Sequence, residues 1–148
     1  MKRLVPPAPQ IMVAVSGGFD PIHKGHVRMI RAAANYGTVV VIANSDEWLM
    51  RKKGYVFMPF EERAEILESI KGVGAVIKAR DDDETVCESL KDLRPEMFAN
   101  GGDRKGDNVP EVALCKELGI ELLWNVGGEK IQSSSELVAE ANKKQREA

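Results

Sequence analysis

Both histidines of the 148-residue chain, His23 and His26, fall in one stretch, Ser16-Gly17-Gly18-Phe19-Asp20-Pro21-Ile22-His23-Lys24-Gly25-His26. At that spacing two side chains share one face of a helical turn. Gly25 between them leaves the space beside that face empty, while Gly17 and Gly18 let the preceding backbone turn tightly and approach a ligand. Pro21 fixes φ just ahead of a helix whose first amides lack partners within the helix and so welcome an anion. Paired imidazoles there can donate to phosphate oxygens and stabilise the added charge of a pentacoordinate transition state, with no covalent step. Two plainer readings stand beside this one. The pair could be ordinary polar helix-start residues, or zinc ligands, although a structural zinc site takes about four ligands and no Cys/His cluster lies nearby in sequence. The glycines match neither GxGxxG nor a Walker A loop, which argues against an NAD-dependent dehydrogenase or a P-loop kinase.

A second candidate anion site is Lys130-Ile131-Gln132-Ser133-Ser134-Ser135-Glu136-Leu137. A serine run before an amphipathic helix is first an N-cap, but hydroxyls beside free helix amides also hold phosphate. Arg63 lies on or beside the apolar stripe of Phe60, Ala64, Leu67 and Ile70, so its guanidinium should meet an anion there, with an edge-packed, water-reaching head as the alternative. Arg51, Lys52 and Lys53 precede Gly54 and read as a mobile basic loop or a solvated charge run. Asp81-Asp82-Asp83-Glu84 reads as solvated and helix-capping, because adjacent acids define no coordination geometry.

The elements that must position these residues alternate along the chain. Apolar, β-branched runs predict strands at 11–15, 38–43, 75–78, 96–99 and 120–124. Helix-like segments follow at 24–36, 60–71, 84–93, 109–118 and 134–144. Val39-Val40-Val41-Ile42 is apolar without alternation, as in a parallel strand buried on both faces. Strand and helix in strict turn predict an α/β, Rossmann-like, doubly wound parallel sheet in a single domain. Residues 1–10 read as an irregular N-terminal arm, 11–144 as the domain and 145–148 as a polar tail. Ligands of such sheets bind beyond the carboxyl ends of the strands, where chain order reverses.

Composition narrows the classes. With 21 basic against 23 acidic residues and net charge -2, no global positive field exists to hold a nucleic acid. No apolar run approaches the ~20 residues that span a bilayer, and prolines interrupt the place of a signal-peptide core. Cys87 and Cys115 fit no CxxC or disulfide framework and read as buried, inert thiols of a reducing, cytoplasmic setting.

The motif His23-Lys24-Gly25-His26 resembles that of the HxGH nucleotidyltransferase superfamily. Asn44-Ser45-Asp46, Arg51-Lys52-Lys53, Pro59-Phe60-Glu61-Glu62-Arg63 and Gly101-Gly102-Asp103 look like its glycerol-3-phosphate cytidylyltransferases and heptose-1-phosphate adenylyltransferases. The similarity covers about Val13 to Leu137. The resemblance implies an enzyme that transfers CMP or AMP from CTP or ATP, with Mg²⁺, to a phosphomonoester of a polyol, sugar or alcohol, releasing pyrophosphate. It implies catalytic roles for His23, His26, Lys53 and Arg63, and acceptor contacts from Lys52, Lys53 and Arg63. The nucleotide would meet Gly17, Gly18, Phe19, Asp20, His23, Gly25, His26, Gly102, Asp103, Lys130 and Ser133 to Ser135, with no protein-bound metal, no nucleic-acid or membrane partner, and a homodimer as the usual assembly. Where the cytidylyltransferases have Arg before the Ser/Thr turn, Lys130 stands as the substitute cation. Nicotinamide-mononucleotide or pantetheine-phosphate adenylyltransferases, and a non-catalytic nucleotide-binding domain of the same fold, are the alternatives.

Overall fold

A computed structural model describes residues 10–80, 83, 85–101 and 109–147. The chain runs β1 (Met12–Gly17), α1 (Lys24–Ala33), β2 (Thr38–Ala43), α2 (Asp46–Lys53), α3 (Phe60–Glu68), β3 (Val73–Lys78), α4 (Cys87–Leu93), β4 (Met97–Ala99), α5 (Val109–Leu118), β5 (Glu121–Leu123) and α6 (Ser134–Glu147). All pairings are parallel, in the order β3-β2-β1-β4-β5.

Alternation along β1 explains the layers. Val13 and Val15 point into one core with Ile30, Ala33 and Leu67 from α1 and α3, whereas Ala14 points into another with Leu90, Leu114 and Cys115 from α4 and α5. Helices therefore cover both faces, as the unbroken Val39 to Ile42 run requires, and burying each such Val, Leu or Ile contributes about 1.5–3 kcal/mol. The doubly wound sheet is thus observed. Cys115 is buried, its thiol pushed up to about 11 by burial, and Cys87 is half-buried. Among the described residues no helix is long and apolar enough to cross a membrane.

One element was missed. The segment read as a basic loop, Arg51 to Lys53, is the last turn of α2. Ser45 caps that helix by accepting from the Trp48 amide, Asp46 and Glu47 open it, and Gly54 closes it in the left-handed conformation at φ 83. The cationic turn thus complements the helix dipole.

Candidate active site

β1 and β4 lie side by side at the centre of the sheet, yet chain order runs outward from them in opposite directions. The crevice beyond their carboxyl ends is the switch point where α/β sheets bind ligands. A cavity of about 310 Å³ opens there. Its walls are the Ser16–Phe19 turn, the first turns of α1, Lys53 from α2, the Ala99–Gly101 end of β4, and the segment from Val126 to Ser135.

The histidines start α1 by capping it with each other. His23 is the N-cap, and its Nδ1 accepts from the Gly25 amide at 3.1 Å. His26 Nδ1 accepts in return from the His23 amide at 3.2 Å. A ring that accepts through Nδ1 and is neutral carries its proton on Nε2, so the capping box fixes both tautomers and leaves each ring one N–H donor. Neutrality follows from the surroundings. The rings stack at 3.7 Å between centroids, with Phe19 edge-on to His26 at 4.9 Å. Burial, then His23, Lys53 and Lys130, pull His26 down to about 3, and burial followed by Lys130 lowers His23 as well. Gly25 is required by this packing, since a Cβ there would come within 2.9 Å of His23 Cε1.

This burial makes an acid-side prediction. Unfolded histidines take up protons below about pH 6.5, while native His26 resists protonation until about 3. The unfolded state then binds more protons, so stability should fall as pH drops from 6.5 toward 3, with His26 contributing up to about 1.4 kcal/mol per unit. Urea unfolding across that range measures the slope. His26→Asn should remove most of its share, and an unchanged slope would contradict the half-buried neutral pair.

The serine turn meets the histidine turn directly. Ser134 Oγ donates to the Pro21 carbonyl at 2.7 Å, stitching the start of α6 to the loop before α1. Ser133 caps α6, its Oγ accepting from the Glu136 amide at 3.3 Å. Two helix N-termini therefore flank one cavity, with Lys53 and Lys130 among the lining residues. Gly127, at φ 84, makes this closure possible, because a Cβ on it would sit 2.8 Å from the Met29 Cα of α1.

The cavity gathers Gly17, Gly18, Phe19, His23, Gly25, His26, Lys53, Lys130 and Ser133 to Ser135 from the sequence-based candidates. Three others lie elsewhere. Arg63 is fully buried and does not line the cavity; its anion is Asp46, at 2.7 Å, and three backbone carbonyls take further donors. The guanidinium is thus held by four acceptors of the protein itself. Asp20 is also fully buried, its carboxylate accepting from the Phe57 and Met58 amides at 2.6 and 2.5 Å, so it braces a loop. Lys52 is exposed outside the cavity wall, on α2 beside Lys53. Gly102 and Asp103 lie outside the described residues, as do Asp81, Asp82 and Glu84. Sequence reasoning passed over Arg28 and Met29, which line the cavity from α1. They follow Gly25 at i+3 and i+4, so helical periodicity counted from Gly25 would have found them. Asn100 was also missed; it is buried and joins β4 to the Leu123–Val126 turn through its own amide and carbonyl.

Known proteins share both sequence and fold with this chain. The chain is 38% identical over 135 residues to the bifunctional protein HldE of Streptomyces coelicolor, matching 88% of this chain but 28% of that protein. It is 36% identical to a D-beta-D-heptose 1-phosphate adenylyltransferase of Bordetella bronchiseptica, covering 75% of this chain and 70% of the relative. It is 33% identical to an FAD synthase of Pyrococcus horikoshii, covering 76% and 77%. The fold is shared with the crystal structure of a lipopolysaccharide core biosynthesis protein from Thermoplasma volcanium, at TM-score 0.65 and 23% identity over 78% of this chain and 94% of that one. The family model described as cytidylyltransferase-like matches residues 14–140, a span that contains both the histidine turn and the serine turn. The chain belongs to the cytidylyltransferase-like family of nucleotidyltransferases.

Proposed function

We propose that this chain transfers AMP from ATP to a phosphomonoester of a sugar, polyol or alcohol, releasing pyrophosphate. The carrying observation is the pair of neutral imidazoles, each with its proton held on Nε2, at a helix N-terminus in the cavity. A phosphate oxygen of the acceptor attacks the α-phosphorus in line, the bond to the β-phosphate oxygen breaks, and pyrophosphate departs with the electron pair. The acceptor is already ionised at neutral pH, so no general base is required. What the reaction needs is alignment and stabilisation of charge on the five-coordinate phosphorus. His23 and His26 donate there, Lys53 and Lys130 add positive charge, and the amides opening α6 receive the β- and γ-phosphates.

Mg²⁺ would ride on the triphosphate and offset charge on the leaving pyrophosphate. Among the described residues Glu129 is the one carboxylate lining the cavity, and no set of three or more metal-ligating side chains gathers. That donor set fits a cation held mainly by substrate phosphates.

ATP is favoured over CTP by the names of two relatives, an adenylyltransferase and a synthase of an adenine dinucleotide. The test is pyrophosphate release from ATP, CTP, UTP and GTP against a panel of phosphomonoesters. Release with ATP and a sugar or polyol phosphate is expected; preference for CTP would reassign the base, and no release with any pair would reject the reading.

The serine turn gives a second check. Ser133→Ala and Ser135→Ala should weaken ATP binding while leaving AMP binding nearly unchanged, if α6 holds the outer phosphates. Were the serines caps alone, Ser133→Ala would cost about 1 kcal/mol of stability and leave ATP affinity intact. Calorimetric titration with both nucleotides separates these outcomes.

A further inference from the structure

We propose that Arg63 is a positioning residue for Lys53: bonded to Asp46 and joined to Asp20 through the loop they both grip, it sets where α2 delivers that ammonium in the cavity.

Helix α2 is eight residues long and has one buried side chain, Leu49. Apolar burial alone therefore fixes its angle poorly, and polar tethers must do so. Its first residue, Asp46, accepts from Arg63 Nη2 at 2.7 Å and from the Phe60 amide at 2.9 Å through the same oxygen. Beyond its last residue, the loop that begins at Gly54 is gripped by Asp20, which takes the Phe57 and Met58 amides. Arg63 Nε donates to the Met58 carbonyl at 2.8 Å, so the same guanidinium holds both ends of the segment containing Lys53. Its Nη1 donates at 2.8 Å to the Gly18 carbonyl in the histidine-side turn and at 2.8 Å to the Asn44 carbonyl after β2. A planar fork makes these contacts together, whereas a lysine ammonium cannot span them.

Lys53 is the one residue of α2 on the cavity wall. A swing of α2 would thus carry it away from the histidines while leaving both helix N-termini in place. The surroundings of Lys53 agree with an enforced position. Burial lowers its pKa, Asp20 opposes that shift, and Arg63 and Lys130 add to it. An ammonium free to choose would turn to water instead.

The role of Lys53 in turnover rests on the proposed nucleotidyl transfer, but its placement can be read without activity. Wild type, Lys53→Ala, Arg63→Lys, Asp46→Ala and the double Arg63→Lys/Lys53→Ala should be compared in two ways. The first is steady-state kinetics with ATP and the phosphomonoester found by the screen. Arg63→Lys should lower kcat about tenfold, change either KM less than about threefold, and add less than about threefold once Lys53 is already alanine. The second is the pH dependence of Lys53 acylation by an anhydride reagent, followed by mass spectrometry. Its profile should move to higher pH in Arg63→Lys and Asp46→Ala, because a displaced ammonium regains water. Independent, multiplying losses in kcat, or an acylation profile that does not move, would overturn the proposal. Should Arg63→Lys fail to fold by circular dichroism, Asp46→Ala carries both measurements, since Asp46 is partly exposed and its removal deletes the acceptor that tethers α2. If no substrate pair releases pyrophosphate, the functional reading fails while the acylation profile still decides the placement of Lys53.

Discussion

Alanine at His23 or at His26 is expected to lower kcat by about a hundredfold or more, the scale of removing one preorganised donor to a developing oxyanion. Stability complicates the reading, because each imidazole also accepts an amide at the start of α1. Losing an N-cap costs about 1 kcal/mol, which would leave most molecules folded. His23→Asn separates the two roles: asparagine caps as well as any residue but places no donor where Nε2–H stood. It should therefore restore stability and leave kcat near that of His23→Ala. The pH profile is a second discriminator. Neutral rings are the proposed donors, and His26 stays neutral down to about 3. Turnover attributable to the pair should not rise as pH falls through 6.5, the range in which a mechanism requiring imidazolium would accelerate. A folded His23→Asn enzyme with normal kcat would remove the histidines from the chemistry.

Much of this site was legible because its parts are local. The histidine turn, the serine turn and the strands that aim them each occupy a short continuous stretch, and period and capping chemistry report on such stretches directly. α2 offers periodicity almost nothing to report. The helix buries only Leu49, so it has little apolar stripe to display. Its caps were nevertheless written out: Ser45 before Asp46 and Glu47, and three cations before Gly54. Arg63 shows the other limit. Its burial could be read from the stripe of α3, but its partner could not. Asp46 and the Gly18, Asn44 and Met58 carbonyls come together only after β1, β2 and α2 have packed. No spacing rule joins residues drawn from four separate elements, so spacing alone cannot show which anion the buried cation meets. The same holds for Gly127, whose contact with Met29 is across the cavity wall.

Arg63→Ala should destabilise the fold by about 3–5 kcal/mol, the cost of breaking a buried charged network from one side. Exposed arginines typically cost within about 0.5 kcal/mol, so the effect is diagnostic. Two contributions are expected, and they can be separated. Removing the side chain leaves a cavity, and it also leaves the Gly18, Asn44 and Met58 carbonyls without the donors that now satisfy them. Each orphaned group costs about 1–3 kcal/mol where water cannot reach it. Asp46 suffers less, because its side chain is 39% exposed and can be rehydrated. Arg63→Met refills most of the volume but supplies no donors. If the polar term dominates, Arg63→Met should remain closer in stability to Arg63→Ala than to wild type in urea unfolding. If the cavity dominates, methionine should recover most of the loss, and the guanidinium would be filling space instead of binding α2, α3 and the turns after β1 and β2 into one unit. Asp46→Asn supplies the reference, since it keeps an acceptor for Arg63 and the Phe60 amide while deleting the charge, and a partly exposed ion pair is worth only about 1 kcal/mol. A large loss for Arg63→Met with a small one for Asp46→Asn would place the energy in the carbonyl contacts, which are the ones that connect the guanidinium to the histidine-side turn.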